Sequence, residues 1–191
     1  MPDTSIDSMI KIKEIQRLTL TGAISDKDLR EFLKTCNPFV NVDEAKIGSF
    51  TYPSFTQHEE SCAPLFPELE KRGPFEFDIR KKKPYPSTKS FNSIQCLLDQ
   101  LSEEGTLENM LGLYAGLSID ERGVEFFKHF FPSASKLFCL KGAVRVTGEV
   151  LRGDRIYVPY WSIGEYSHFQ LKWACNPVVL ANGYGDLFTL C

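Results

Sequence analysis

The sequence predicts an α+β fold in which a helical N-terminal two-thirds packs on a C-terminal antiparallel β-sheet. Three observations carry that reading. Apolar residues recur at helical spacing over 1–37 and again over 90–131, the period switches to two over 136–190, and a proline-rich run without sustained periodicity fills 38–89. With 191 residues, 42% of them hydrophobic and 25% charged, the chain is long and apolar enough for one domain over 1–191 with its own core.

Ile6, Met9, Ile12, Ile15 and Leu18 recur every third residue and predict an amphipathic helix ending near Gly22, although the alternation of Ile10, Ile12, Leu18 and Leu20 leaves a strand open. Ser25 followed by Asp28 marks a second helix start. Leu29, Phe32, Leu33 and Cys36 then share one face until Asn37-Pro38 stops it. Seven of the eleven prolines (38, 53, 64, 67, 74, 84 and 86) lie in the next stretch, which is read as irregular and surface-wrapping. Its aromatic residues, among them Phe50, Tyr52, Phe55, Phe66, Phe75 and Phe77, are too frequent for a solvated linker and predict that it packs on the domain.

Ser90 is expected to open a helix bearing Phe91, Ile94, Leu97, Leu98 and Leu101, closed by Gly105. A second runs from Thr106 to Gly116. The pattern Ser118-Ile119-Asp120-Glu121 reads as a capping box that starts a third, carrying Val124, Phe127, Phe130 and Phe131 up to Pro132. Beyond it, Leu137–Leu140 and Ala143–Val146 flank Gly142, Arg155–Val158 follows a Gly153-Asp154 turn, and Phe169, Leu171 and Trp173 alternate with His168, Gln170 and Lys172. This is the pattern of a sheet with one apolar and one polar face. Val178–Ala181, Asn182-Gly183 and Leu187–Leu190 predict a closing hairpin, because Asn-Gly supplies the positive φ angles of its tight turn.

Function is read mainly by exclusion. A net charge of −3 gives no bulk attraction to nucleic acid or anionic membranes. The opening residues carry Asp3 and Asp7 rather than the positive start of an export signal, and no apolar run approaches a membrane span, so a soluble cytoplasmic protein is expected. In that setting the six cysteines (36, 62, 96, 139, 175 and 191) are read as free thiols. No phosphate loop, dinucleotide fingerprint, zinc-protease motif or nucleophile elbow occurs, so no cofactor is expected. No metal is expected either: the three histidines, at 58, 129 and 168, are scattered, and His58-Glu59-Glu60 with Cys62 reads as a solvated turn. Cys139 with His168 is the one nucleophile and base to weigh, but an apolar strand disfavours the thiolate.

Two fragments carry resemblances. Gly153–Pro159 looks like the glycine-aspartate-to-proline strand of cupins, with His168 downstream, but the first histidine cluster is missing and too little chain follows Pro132 for such a barrel, which excludes it. Asn182–Phe188 resembles the asparagine-glycine, glycine-aspartate, strand element of the SUKH superfamily of intracellular immunity and interaction proteins, a resemblance confined to that segment.

The remaining feature is the aromatic load of 15 Phe, 7 Tyr and 2 Trp. Tyr160–Tyr166 reads as a loop between two strands, with Pro159 interrupting the ladder before it, which would hold aromatic anchors in solvent. The leading expectation is therefore a non-enzymatic intracellular module of immunity or adaptor type that binds another protein. Its expected contact residues are Arg155, Tyr160, Trp161, Glu165, Tyr166 and His168. The alternatives are an enzyme of unrecognised class with a pocket near the C-terminal sheet, or a nucleic-acid binder joining the basic run Arg80–Lys83 to Arg145, Arg152, Arg155 and Lys172. The acidic balance of the chain disfavours the last.

Overall fold

The computed structural model describes residues 13–48, 50–55, 59–84, 93–132, 134, 136–148, 154–163, 169–175 and 186–190; of 59–60, 82–84 and 186–190 it describes the backbone alone. Contacts divide the chain into two units, Met1–Asn37 and Pro38–Cys191.

The first unit holds two helices, α1 (13–20) and α2 (Asp26–Cys36). The strand alternative for α1 is excluded over its described part. α2 starts where the sequence marks it: Ser25 Oγ accepts the Asp28 N–H at 3.1 Å, and its hydroxyl donates to Asp28 Oδ2 at 2.7 Å. Asp26 and Asp28 in the first turn and Lys34 in the last complement the helix dipole.

In the second unit the expected division into a helical two-thirds and a C-terminal antiparallel sheet does not hold. The proline-rich run contributes four strands, β1 (Phe39–Val42), β2 (Glu59–Pro64), β3 (Phe75–Asp78) and β4 (Lys82–Pro84), together with a short helix α3 (Glu44–Ile47). β1 and β3 form an antiparallel ribbon of their own, while β2 and β4 enter the large sheet. That sheet also contains β5 (Lys136–Phe138), β6 (Val144–Gly148), β7 (Arg155–Ile163), β8 (Phe169–Ala174) and β9 (Asp186–Leu190). Its order is β2-β6-β7-β5-β9-β4, with β8 on β7. It is not purely antiparallel, because β5 and β9 run parallel with Leu137 opposite Asp186. The fold is a mixed α+β arrangement whose strands are interleaved with its helices. Of the expected closing hairpin only β9 is described; its turn at Asn182-Gly183 lies outside the described residues.

β7 is the axis of the sheet. β8 runs along it over 158–163, β5 pairs with 160–162 and β6 with 155–157. Pro159 sits where the partner changes from β6 to β5, and its carbonyl accepts the Cys139 N–H at 3.0 Å. Its missing donor therefore falls at the seam between two partners rather than inside a ladder, which is how a central strand tolerates proline. The alternation along β5 and β7 feeds two cores. Leu137, Cys139 and Trp161 pack with Leu113, Ile119, Phe126 and Phe127. On the other face Phe138, Leu140 and Val158 pack with Ile94, Leu97, Leu98 and Leu101. The centre of the sheet is thus buried on both faces, whereas β8 keeps the expected polar face at Gln170 and Lys172.

Both helical layers depart from the expected starts. α4 (Ile94–Glu103) is capped by Ser93, whose Oγ accepts the Cys96 N–H at 3.1 Å; Ser90 lies outside the described residues. Gly105 closes this helix as expected, with φ at 64° and the Thr106 N–H returning to the Leu101 carbonyl at 2.9 Å. The segment after it is only a 3₁₀ turn, Leu107–Asn109. The stretch α5 (Leu113–Phe130) is two helical segments that meet at Gly123 (φ 84°, ψ 169°), so the break lies there rather than at the expected capping box. Ser118 is buried inside the helix, and Gly116 does not end it but lies against the Trp161 ring and Cys139 Sγ, which stand where a Cβ at 116 would be. The aromatics of the proline-rich run pack on the sheet as expected: Phe55 stacks on Tyr157 at 4.4 Å and meets Trp173 edge-on at 5.2 Å, with Tyr52 at 6.0 Å.

Candidate functional site

The expected aromatic loop is corrected by β7. Residues 160–163 are strand, and Trp161 is 0% exposed, wedged between Gly116 of α5 and Cys139. Tyr160 points to the opposite face, half-buried on Phe138 at 5.0 Å with Lys136 Nζ 5.8 Å from its ring centre. Arg155 is exposed at the start of the strand, opposite Val146. Tyr160 and Trp161 therefore do not form one surface, and Glu165, Tyr166 and His168 lie outside the described residues. Of the basic set, Arg145 and Arg155 stand on the neighbouring strands β6 and β7, Arg145 pairs with Asp154 at 3.5 Å, Lys172 stands on β8, and Arg152 lies outside the described residues. Cys139, the one thiol weighed as a nucleophile, has no exposed surface. The other described cysteines, 36, 62, 96 and 175, are also free thiols.

A different place gathers polar groups. α5 begins at Gly112, which has no side chain to satisfy the first helical N–H groups. Glu70, carried there by the turn after β2, supplies the acceptors: Leu113 N–H donates to Oε2 at 3.0 Å and Tyr114 N–H to Oε1 at 3.1 Å. A Cβ at 112 would collide with that carboxylate, so glycine at the cap and glutamate beyond it are one device. Burial raises the Glu70 carboxyl above its ordinary 4.5, an effect the two N–H groups and Lys141 offset only in part. Lys141, in the 3₁₀ turn Leu140–Gly142, is fixed by its own N–H donating to the Leu111 carbonyl at 3.1 Å and by Nζ donating to the Glu108 carbonyl at 3.2 Å. Burial pushes its ammonium below 10.5, against the pull of Glu70.

Glu70 and Lys141 line a cleft of about 670 Å³. All four residues of β3 border it, Met110, Leu111 and Ala115 give it apolar surface, and Lys71, Lys81 and Glu108 add exposed charge. Of β1 only Phe39 reaches it, 41% exposed and with the Arg80 guanidinium 6.0 Å from its ring centre. Arg80 also holds the Asp78 carboxyl below the usual range through paired hydrogen bonds, the shortest 2.7 Å. Beside Glu70, Tyr114 O–H and Arg72 NH1 both donate to Glu44 Oε1, at 3.1 and 3.2 Å, and Arg72 lies 5.5 Å over the Tyr114 ring.

The ionisable groups at the base of this cleft are committed to the backbone: both Glu70 oxygens to a helix N-terminus, the Lys141 ammonium to a carbonyl. Such a surface offers shape, aromatic area and rim charge, and these serve recognition. Sequence reasoning missed Glu70 and Lys141 because neither belongs to a motif. A signal did exist in Gly112: a helix opening on glycine needs its acceptors from elsewhere in the fold, though nothing local says from where. Among the described residues no three His, Cys, Asp or Glu side chains gather as a metal site, and no helix is long and apolar enough to cross a membrane. No family model, curated protein or solved structure matches the chain, so nothing from those comparisons extends the SUKH-like resemblance, whose segment 182–185 lies outside the described residues.

Proposed function

We propose that the chain is a non-enzymatic module that binds another protein, and that the contact is made in the cleft between β3 and the 108–112 segment. The observation that carries this reading is the lining of that cleft: an exposed aromatic, Phe39, and exposed charges surround a base whose own ionisable groups are already bonded. Exposed aromatics ringed by polar residues are the usual anchors of protein contacts, and the burial of Cys139 weighs against a thiol enzyme. A cytoplasmic setting belongs to the same reading.

The test is capture of partners from the native cell with the full chain and with two variants, Phe39→Ala in the cleft and Arg155→Ala on β7. Truncating a central aromatic anchor costs about tenfold or more in affinity. Capture that fails with Phe39→Ala and survives with Arg155→Ala supports the cleft; the reverse pattern rejects it and returns the contact to the β7 surface.

A further inference from the structure

The ribbon of β1 and β3 has two outer edges, and they differ. In its register Val40 faces Phe77 and Val42 faces Phe75, and the Ile79 N–H donates to the Pro38 carbonyl at 2.9 Å. In an antiparallel pair, bonded and non-bonded positions alternate, so Phe77 and Phe75 spend their backbone groups on β1. The N–H and C=O groups of Glu76 and Asp78 then point away from it. On the outer edge of β1 the Phe39 carbonyl, which the same alternation directs outward, already accepts Arg122 NH1 at 3.0 Å. The outer edge of β3 has no strand beside it among the described residues, and all of β3 borders the cleft. An unpaired strand edge opening into a lined cleft is a template for one more strand.

We infer that the partner enters this cleft as an extended segment that adds a third strand to the outer edge of β3, with a basic side chain opposite Glu76 and apolar residues on either side of it. The side-chain chemistry follows from the two faces of β3. Phe75 and Phe77 lie on one, Glu76 and Asp78 on the other, and cross-strand neighbours prefer apolar against aromatic and opposite charge against charge. Asp78 is already neutralised by Arg80 at 2.7 Å, whereas Glu76 is exposed and has no ion pair among the described residues. One cation in the incoming strand therefore answers one carboxylate. The exposed Lys71 and Lys81 on the rim disfavour more than one.

This inference rests on the cleft being the contact site, and the experiment separates the two. The full chain selects binders from a random linear-peptide library, and the tightest peptide weakened by Phe39→Ala is remade with single backbone N-methyl groups along its length. Strand addition predicts losses of about tenfold or more at every second residue and little loss between them, since only alternate peptide N–H groups face β3. Glu76→Pro removes one outward donor of β3 and none of the ladder to β1, so it abolishes binding, while Glu76→Gln, which keeps that donor, weakens it by only about threefold. A peptide that depends on Phe39 but tolerates N-methylation at all positions, or loses affinity without a period of two, overturns strand addition and leaves cleft binding standing. A library that yields no Phe39-dependent peptide overturns strand addition as well, and the partner-capture result alone then decides the cleft. Thermal unfolding of Glu76→Pro accompanies the binding data; if it does not fold, the N-methyl series decides.

Discussion

Replacing Gly116 with alanine tests the part of the fold where local signals and packing disagree most. An alanine Cβ at that position would overlap the Trp161 six-membered ring and stand 2.7 Å from Cys139 Sγ, against ordinary contact of about 3.5–4.0 Å. Both neighbours are 0% exposed and have no solvent to retreat into. Alanine in a helix interior gains about 1 kcal/mol over glycine, whereas overpacking a tight core costs about 1–3 kcal/mol. With two rigid neighbours in the way, the cost stands at the upper end of that range, and a net loss of about 1–2 kcal/mol is expected in equilibrium urea unfolding. Trp161→Leu alone leaves a cavity and costs about 3 kcal/mol. In the double variant the new methyl partly fills that space, so the combined loss falls short of additivity by about 1 kcal/mol. If Gly116→Ala proves neutral or more stable, the helix gain is unopposed, Trp161 is not packed against α5, and the placement of 160–163 in the centre of the sheet is wrong.

Glu70→Gln replaces one accepting oxygen at the start of α5 with an amide that points a donor at a helix N–H, for an expected loss of about 2 kcal/mol. The loss also has a sign in pH. A carboxyl whose folded pKa is raised from 4.5 contributes stability that is fully present below that value and fades as pH rises through the raised one, and glutamine does not titrate. The wild-type advantage should therefore be largest in acid and shrink upward, measured by denaturant unfolding of both proteins across that window; a gap constant in pH contradicts the assigned burial. Among the described thiols, maleimide should label the exposed Cys96 and Cys175 first and the buried Cys139 only on unfolding, followed by peptide mass mapping. Early modification of Cys139 would mean that the α5–β7 core opens readily.

What the sequence made legible was chemistry contained in a few consecutive residues. The Ser25–Asp28 cap, the Gly105 stop and the alternation at Phe169, Leu171 and Trp173 need no distant partner to take effect, and the structure has all three. The misses needed such partners. β2 reads Glu-Glu-Ser-Cys-Ala-Pro, with no apolar alternation, and is a strand because β6 lies beside it, down to the Ser61 and Thr147 hydroxyls 2.6 Å apart. Ser118 and Glu121 spell a helix start, but the segment that begins at Leu113 runs on through them to the break at Gly123, with Ser118 buried, and packing outweighs a cap. Pro159 suggested that β7 ended; the apolar run around it was the better guide, since a strand covered on both faces loses its alternation. The cleft was the least legible of all. Glu70, Phe39, Phe75 and Lys141 come from separate segments and share no motif.

The path of the strands bears on how this protein reaches its native state. β2 must wait for β6 and β4 for β9, with Lys82 pairing to Leu190, so the proline-rich segments leave the ribosome long before the strands that receive them. Closure of such long loops precedes any reward from pairing, which places the second unit among slow folders of high contact order. Until residue 190 is made, β4 has no place in the sheet, because among the described residues it joins it only through β9. Its two lysines and its proline, Lys82-Lys83-Pro84, then keep that waiting segment from pairing with a neighbouring nascent chain.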